Sequence, residues 1–495
     1  MNIKEAKNYI KDTISAYLKK DEFGDYRIPA HKQRPIFLLG APGIGKTAIM
    51  SQVASELGIA LVSYSMTHHT RQSALGLPFI KEKKYGDSTF SVSEYTMSEI
   101  IASVYDTMEE SGVREGILFL DEINCVSETL YPSMLQFLQY KVFGKHAVPD
   151  GWVIVTAGNP PEYNKAVREF DVVTLDRLKV ITVEADYPAW KSYASEAGVH
   201  GAIMGFLESN RDRFYKVETS VYGKNYVTAR GWEDLSEMIR LYEEDDKPVN
   251  DSLICQYITD EKTAKDFAAY YDLYNKYRKQ YDVEAIFGGN LSDRAASAAA
   301  SAPVDERLAL TGLLVDTIKS EMKAVLSTHR MLRQIRPGVS AVSDAGSSDE
   351  ALNRLKGLID GNDNALKQRT RAGSLSPGEK TRFKQIDRFY TNAKREMENG
   401  GTIKEVYNSK VTALRSEAET VLQRIDNLFA GIDRIFGSEG NEMLVLVTEL
   451  TLDPDTGEFL SVFPSGSYEK YNSVLKVGDR ADNLRKEIEA LEGLS

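Results

Sequence analysis

Eight consecutive residues, Gly40-Ala41-Pro42-Gly43-Ile44-Gly45-Lys46-Thr47, carry the clearest chemistry in the chain. They fit the spacing G-x-x-x-x-G-K-[ST], in which glycines let successive backbone N–H groups turn inward and cradle phosphate oxygens. The positive end of a following helix adds to that attraction. Lys46 would reach the β- and γ-phosphates of a nucleotide, and the Thr47 hydroxyl would sit on Mg²⁺. The pattern requires a buried strand in front and a helix behind. Ile36-Phe37-Leu38-Leu39 supplies the first, and the stretch from Ala48 to Leu57 has helical spacing. A chance Gly-rich turn would account for the glycines but not for the Lys-Thr pair.

A second group lies where Gly116-Ile117-Leu118-Phe119-Leu120 runs into Asp121-Glu122. An apolar strand ending in two carboxylates suits a metal-bound phosphate: Asp121 would hold Mg²⁺ through water, and Glu122 would orient and deprotonate the attacking water. Alone, the same residues suit a solvated acidic turn, but a phosphate loop upstream favours the chemical reading. The strand Trp152–Thr156 ends in Ala157-Gly158-Asn159-Pro160-Pro161. Asn159 either bonds the γ-phosphate or the nucleophilic water, or simply belongs to a turn. Arg177, within Asp176-Arg177-Leu178, is either an arginine finger completing a neighbouring subunit's site or a surface residue paired with Asp176, and Arg168 is a rival for the finger. Arg230 falls in the first turn of a helix opening at Thr228, where a cation opposes the helix dipole unless it faces a phosphate.

The elements needed to position these groups are legible as a strand–helix alternation. A leading helix covers Ile3 to Leu18, and strands are expected at Ile36–Leu39, Ala60–Tyr64, Gly116–Leu120, Trp152–Thr156 and Val180–Val183. Residues 65–95 form a polar insertion with a hairpin expected around Tyr85-Gly86-Asp87-Ser88. From Tyr187 onward helical patterns dominate. Around residue 290 the composition turns to alanine and serine, giving a linker or weak helix before Pro303. Helical periodicity follows at about 305–335, 349–361, 377–398, 402–435 and 468–492, with an apolar stripe through Leu414, Ala418, Val421, Leu422, Ile425, Leu428, Phe429 and Ile432. Periodicity leaves residues 441–451 open between strand and helix.

A net charge of −12 argues against a broad nucleic-acid or anionic-membrane surface. Two cysteines, Cys125 and Cys255, give no disulfide framework, and they and the six histidines have no metal-ligand spacing. With no apolar run of membrane-spanning length and a charged amphipathic start, the expectation is a soluble cytoplasmic protein.

The order of phosphate loop, LFLDEIN, AGNPPEYN, LDRL and ARGWEDLS resembles the MoxR-type branch of AAA+ ATPases over roughly residues 30–285. The resemblance implies that Gly40, Ala41, Pro42, Gly43, Ile44, Gly45, Lys46 and Thr47, with Ala48 behind them, bind ATP as the Walker A loop. It makes Asp121 and Glu122 the Walker B carboxylates, Asn159 sensor 1, Arg177 the trans-acting finger and Arg230 sensor 2, with Mg²⁺ at Thr47 and Asp121. The implied fold is an α/β P-loop NTPase core, a parallel sheet sandwiched by helices, with an α-helical lid and a mostly helical C-terminal extension. The corresponding division is 1–29 for the N-terminal helix and linker, 30–185 for the core, 186–285 for the lid, 286–304 for a linker and 305–495 for the helical remainder. The implied function is ATP hydrolysis by a chaperone-like remodelling ATPase, working as a hexameric ring on protein clients beside a von Willebrand factor A domain partner. Two other classes compete: a nucleic-acid motor or loader, and an ATP-gated scaffold with little turnover. Residues 290–495 lie outside the resemblance and read as a helical module that docks partners or clients, or as a lid-stabilising extension.

Overall fold

The computed structural model describes residues 1–474, apart from 69–71, 73, 75, 165–166, 221–222, 282, 374 and 376. The chain forms two compact units. The first comprises Met1–Trp190, Thr228–Arg230 and Leu352–Asn392; the second comprises Lys191–Val227, Gly231–Ala351 and Ala393 onward.

The first unit is built on five parallel strands: β1 (Ile36–Gly40), β2 (Ala60–Ser65), β5 (Gly116–Asp121), β8 (Trp152–Gly158) and β9 (Lys179–Val183), in the order β2-β5-β8-β1-β9. β8 is buried along its whole length and β5 everywhere except Asp121, as expected of parallel strands covered on both faces. Around them lie the helices Ile3–Tyr17, Lys46–Leu57, Glu99–Ser111 and Tyr131–Tyr140. Because the strands are parallel, their C-terminal ends share one edge of the sheet. Ser65 pairs with Asp121, and Leu39 with Gly158, so the ends of four strands that are distant in sequence meet there.

Within the expected insertion, β3 (Pro78–Tyr85) and β4 (Ser88–Tyr95) form an antiparallel hairpin turning at Gly86-Asp87. Much of its apolar surface is exposed, with Ile80 the extreme at 79%. At its base, Glu94 accepts from Lys145 at 2.6 Å, beside the small hairpin of β6 (Val142–Phe143) and β7 (His146–Ala147). The insertion positions His69, Thr70 and Leu75 lie outside the described residues.

Residues 352–392 carry parts of two helices, Ser348–Arg371 and Pro377–Glu398, and their connection seats on the edge strand β2. The Leu61 N–H donates to the Ala372 carbonyl at 2.6 Å, capping a backbone group that an edge strand would otherwise leave open. Ala372 is buried in the same apolar cluster as Ala60, Val62 and Leu118. Gly373 follows with φ +65°, and a Cβ there would lie 2.6 Å from the Leu61 carbonyl oxygen. Flanking bonds run from Ser55 Oγ to Glu379 and from Gln368 to the Ser111 carbonyl.

The second unit is mainly helical. Its longest elements are Val304–Ser343, with 40 residues, and Ile403–Phe436, with 34. The latter opens on a reciprocal cap: Glu405 N–H donates to Thr402 Oγ1, and Thr402 N–H donates to the Glu405 carboxylate. The apolar stripe read from the sequence is buried along it, Leu422 excepted, which is half-buried. Val304–Ser343 runs eight residues past the expected stop, through Pro337, because Ile335, Val339 and Val342 continue the buried face at helical spacing. Residues 441–452 are a helix, with Met443, Leu446, Val447 and Leu450 buried on one face. The alanine-rich stretch forms a short helix, Asp293–Ala300. Of the last expected helix, Gly466–Val474 is described and the rest lies outside the described residues. Among the described residues no helix is long and apolar enough to cross a membrane.

The close seat of Gly373 generates a test. Gly373→Val should destabilise the protein by at least about 2 kcal/mol, through left-handed backbone strain plus overlap with Leu61. Gly361→Ala, in a helix interior with nothing within 4 Å, should stabilise it by up to about 1 kcal/mol. Thermal melts read both, and hydrogen exchange at the Leu61 amide should quicken only in the first variant.

Candidate functional site

The phosphate-loop sequence turns sharply between β1 and the helix Lys46–Leu57. Gly43 (φ +72°) and Gly45 (φ +93°) take left-handed conformations that strain other residues, and Gly45 is the residue on which the helix starts. Lys46 is only 8% exposed, and its ammonium donates to the carbonyls of Gly40 and Ala41 at 2.7 Å each and to Asn159 Oδ1 at 2.8 Å. Burial pulls its pKa down to about 8; Asp121 and Glu122 oppose that shift, and the nearby Arg230 charge adds to it.

Thr47 Oγ1 donates to Asp121 Oδ2 at 2.9 Å. A hydroxyl and a carboxylate oxygen at that separation fit a shared hard cation with oxygen ligands, as Mg²⁺ requires. Among the described residues there is no group of three or more His, Cys, Asp or Glu side chains suited to a metal. One carboxylate and one hydroxyl beside a phosphate loop fit an ion that shares its remaining ligands with a nucleotide's phosphates and water.

Glu122 has φ 56°, a left-handed conformation unusual for a side chain of its size, and its N–H donates to Asp121 Oδ1 at 2.9 Å. Its carboxylate accepts from Ser65 Oγ at 2.8 Å and from Thr67 Oγ1 at 3.1 Å. These two hydroxyls were not singled out from sequence. The signal for Ser65 is its position at the tip of β2, in register with Asp121, which only the strand pairing reveals.

The structure brings Asn159 against Lys46 and Arg230 near the loop. Arg230 N–H donates to the Gly43 carbonyl at 3.3 Å, and a Cβ on Gly43 would meet the Thr228 side chain at 2.8 Å. Thr228–Arg230 thus presses on the phosphate loop within the first unit. Arg177 is placed elsewhere: it is exposed after the short helix Val172–Leu175, within electrostatic reach of Asp171. Arg168 is engaged by an ion pair with Glu128 and lies 5.9 Å from the centre of the Tyr131 ring.

Residues 36–175 match the AAA family model, described as the ATPase family associated with various cellular activities. No curated protein matches the chain. The chain therefore contains an AAA-type ATPase domain, which supports nucleotide binding and membership of the AAA+ ATPases for that part. The match ends before Arg177, Thr228–Arg230 and the whole helical C-terminal part.

The buried ammonium gives this site a pH signature. With a pKa of about 8, Lys46 is largely neutral at pH 8.5, and a phosphate anion beside it favours the charged form. Nucleotide binding at pH 8.5 should therefore take up as much as about one proton, and affinity should weaken as pH rises from 7 to 9. Calorimetry in two buffers of different ionisation enthalpy measures the uptake. Lys46→Arg, whose guanidinium stays charged, should abolish it.

Proposed function

We propose that this protein hydrolyses ATP as a MoxR-type AAA+ ATPase, assembled as a hexameric ring that remodels a protein client, with a von Willebrand factor A domain protein as its partner. The observation that carries the catalytic part of this reading is the meeting of Lys46, Thr47, Asp121, Glu122 and Asn159 at one edge of the parallel sheet. Bound ATP with Mg²⁺ supplies the reacting phosphoanhydride and the charge that neutralises it. The residues do the rest. The loop N–H groups and Lys46 hold the phosphates, while Thr47 and Asp121 hold the ion. Glu122 accepts the proton of the attacking water, Asn159 orients that water, and Arg230 reports the phosphate to the helix it opens.

Arg177 is assigned as the finger supplied to a neighbour. It is exposed, whereas Arg168 is engaged by Glu128 and Tyr131. Val172 and Val173 beside it are 81% and 59% exposed, an apolar surface suited to burial by another copy of the chain. The exposed β3–β4 hairpin supports a polypeptide client, and the acidic balance of the chain speaks against nucleic acid.

ATPase activity per subunit should rise with protein concentration, since a site lacking its neighbour's Arg177 is incomplete. Glu122→Gln and Arg177→Ala should each lower kcat by at least about a hundredfold while retaining ATP binding. Mixing the two inactive variants should restore part of the activity, because some sites then combine an intact Glu122 with a neighbour's intact Arg177. Activity independent of concentration and undiminished in Arg177→Ala would rule out both the finger and the ring.

A further inference from the structure

Beyond the side chains that meet at the sheet edge, one buried amide bridges two of the strand ends. Asn124 is 3% exposed and lies on the turn Ile123–Cys125, two residues after Glu122. Its Nδ2 donates to the Asn159 backbone carbonyl at 2.8 Å, and its own carbonyl accepts the Arg168 N–H at 2.8 Å. Its amide packs against Gly158, where a Cβ would come within 2.4 Å of Oδ1, and among the described residues that buried acceptor has no hydrogen-bond partner. An amide retained only for packing would be expected to satisfy both ends, because an unpaired buried acceptor costs stability.

The ladder shows what the amide does. β5 and β8 are paired only as far as Leu120 and Thr156. Asn159 lies three residues beyond that last pair, and Glu122 two residues beyond, so no β5–β8 backbone bond fixes one against the other. The Asn124 side chain supplies that missing cross-strand link, leaving the Asn159 side chain free to face Lys46. We propose that Asn124 is a positioning residue for hydrolysis: its amide sets where Asn159 stands relative to Glu122, and it adds nothing to nucleotide affinity. This rests on the ATPase reading above.

The test measures steady-state ATPase activity, binding of a fluorescent ATP analogue and thermal melts for the full chain. The variants are Asn124→Ala, Asn124→Asp and Gly158→Ala, with Glu122→Gln as the control for the chemistry. Asn124→Ala should lose about tenfold or more in kcat, with KM and analogue binding within about twofold of wild type. Gly158→Ala, which keeps the amide but displaces it, should show the same split. Asn124→Asp can donate to the Asn159 carbonyl only when protonated. Among the described residues the charged groups near it are Asp121 and Glu122 on its own segment, Lys46 reached through Asn159, and Arg168 on the neighbouring loop with its partner Glu128. Its activity relative to wild type should therefore rise as pH falls from 8 to 6, which Asn124→Ala should not do. If Asn124→Ala fails to fold, the other two variants carry the test.

Three outcomes overturn the proposal while leaving the ATPase reading intact, provided wild type is active and Glu122→Gln is not. These are a wild-type kcat in Asn124→Ala, a loss shared equally by kcat and binding, and an Asn124→Asp profile parallel to that of Asn124→Ala. An inactive wild type overturns both readings together.

Discussion

A lysine ammonium withdrawn from water must have its charge and its donors answered by the protein, and the first unit is arranged around doing so for Lys46. All three donors are used, on two carbonyls of the phosphate loop and on the amide oxygen of Asn159. Those acceptors come from the ends of β1 and β8, and the carboxylates that offset the desolvation, Asp121 and Glu122, come from the end of β5. The parallel ladder makes this meeting possible, since it sends the C-terminal ends of all its strands to one edge. The same three contacts keep the ammonium at the phosphate loop, and a bound phosphate would have to take the place of at least one of them. In the proposed site, folding and phosphate recognition would draw on one set of residues.

The edge strand β2 joins that arrangement to a part of the chain far away in sequence. Its C-terminal tip carries Ser65, a partner of the Glu122 carboxylate, and near its start the Leu61 N–H is capped by Ala372. An edge strand without such a cover presents open backbone groups to any other chain. The helical residues 352–392 thus complete the α/β unit as well as belonging, in chain order, to the helical C-terminal part.

What could be read from the sequence follows from how local its physical cause is. The five strands were legible because spacing and burial act over a few residues, and the same local spacing singles out the phosphate loop and the Asp121-Glu122 pair as candidates. The AAA match at residues 36–175 and the five-stranded parallel sheet agree with that fold reading. Ser65 and Thr67 were not legible as partners of Glu122, because they depend on the register between strands more than fifty residues apart. The seat of Ala372 on Leu61 spans a still longer separation and leaves only an alanine and a glycine as its trace. The helix at residues 441–452 was ambiguous because a short apolar run satisfies both periods, and only its packed neighbours decide. Extension of Val304–Ser343 through Pro337 has the same origin, with packing of the following turn outweighing one lost hydrogen bond.

In the proposed reading, Lys46 and the strand ends around it form a nucleoside-triphosphate site. Equilibrium binding of ATP to wild type and Lys46→Ala, with and without Mg²⁺, decides whether it does. Wild type should bind saturably and more tightly with Mg²⁺, and Lys46→Ala should lose at least about a hundredfold in affinity with the fold intact. Equal affinity in the two proteins, unaffected by the ion, would contradict it.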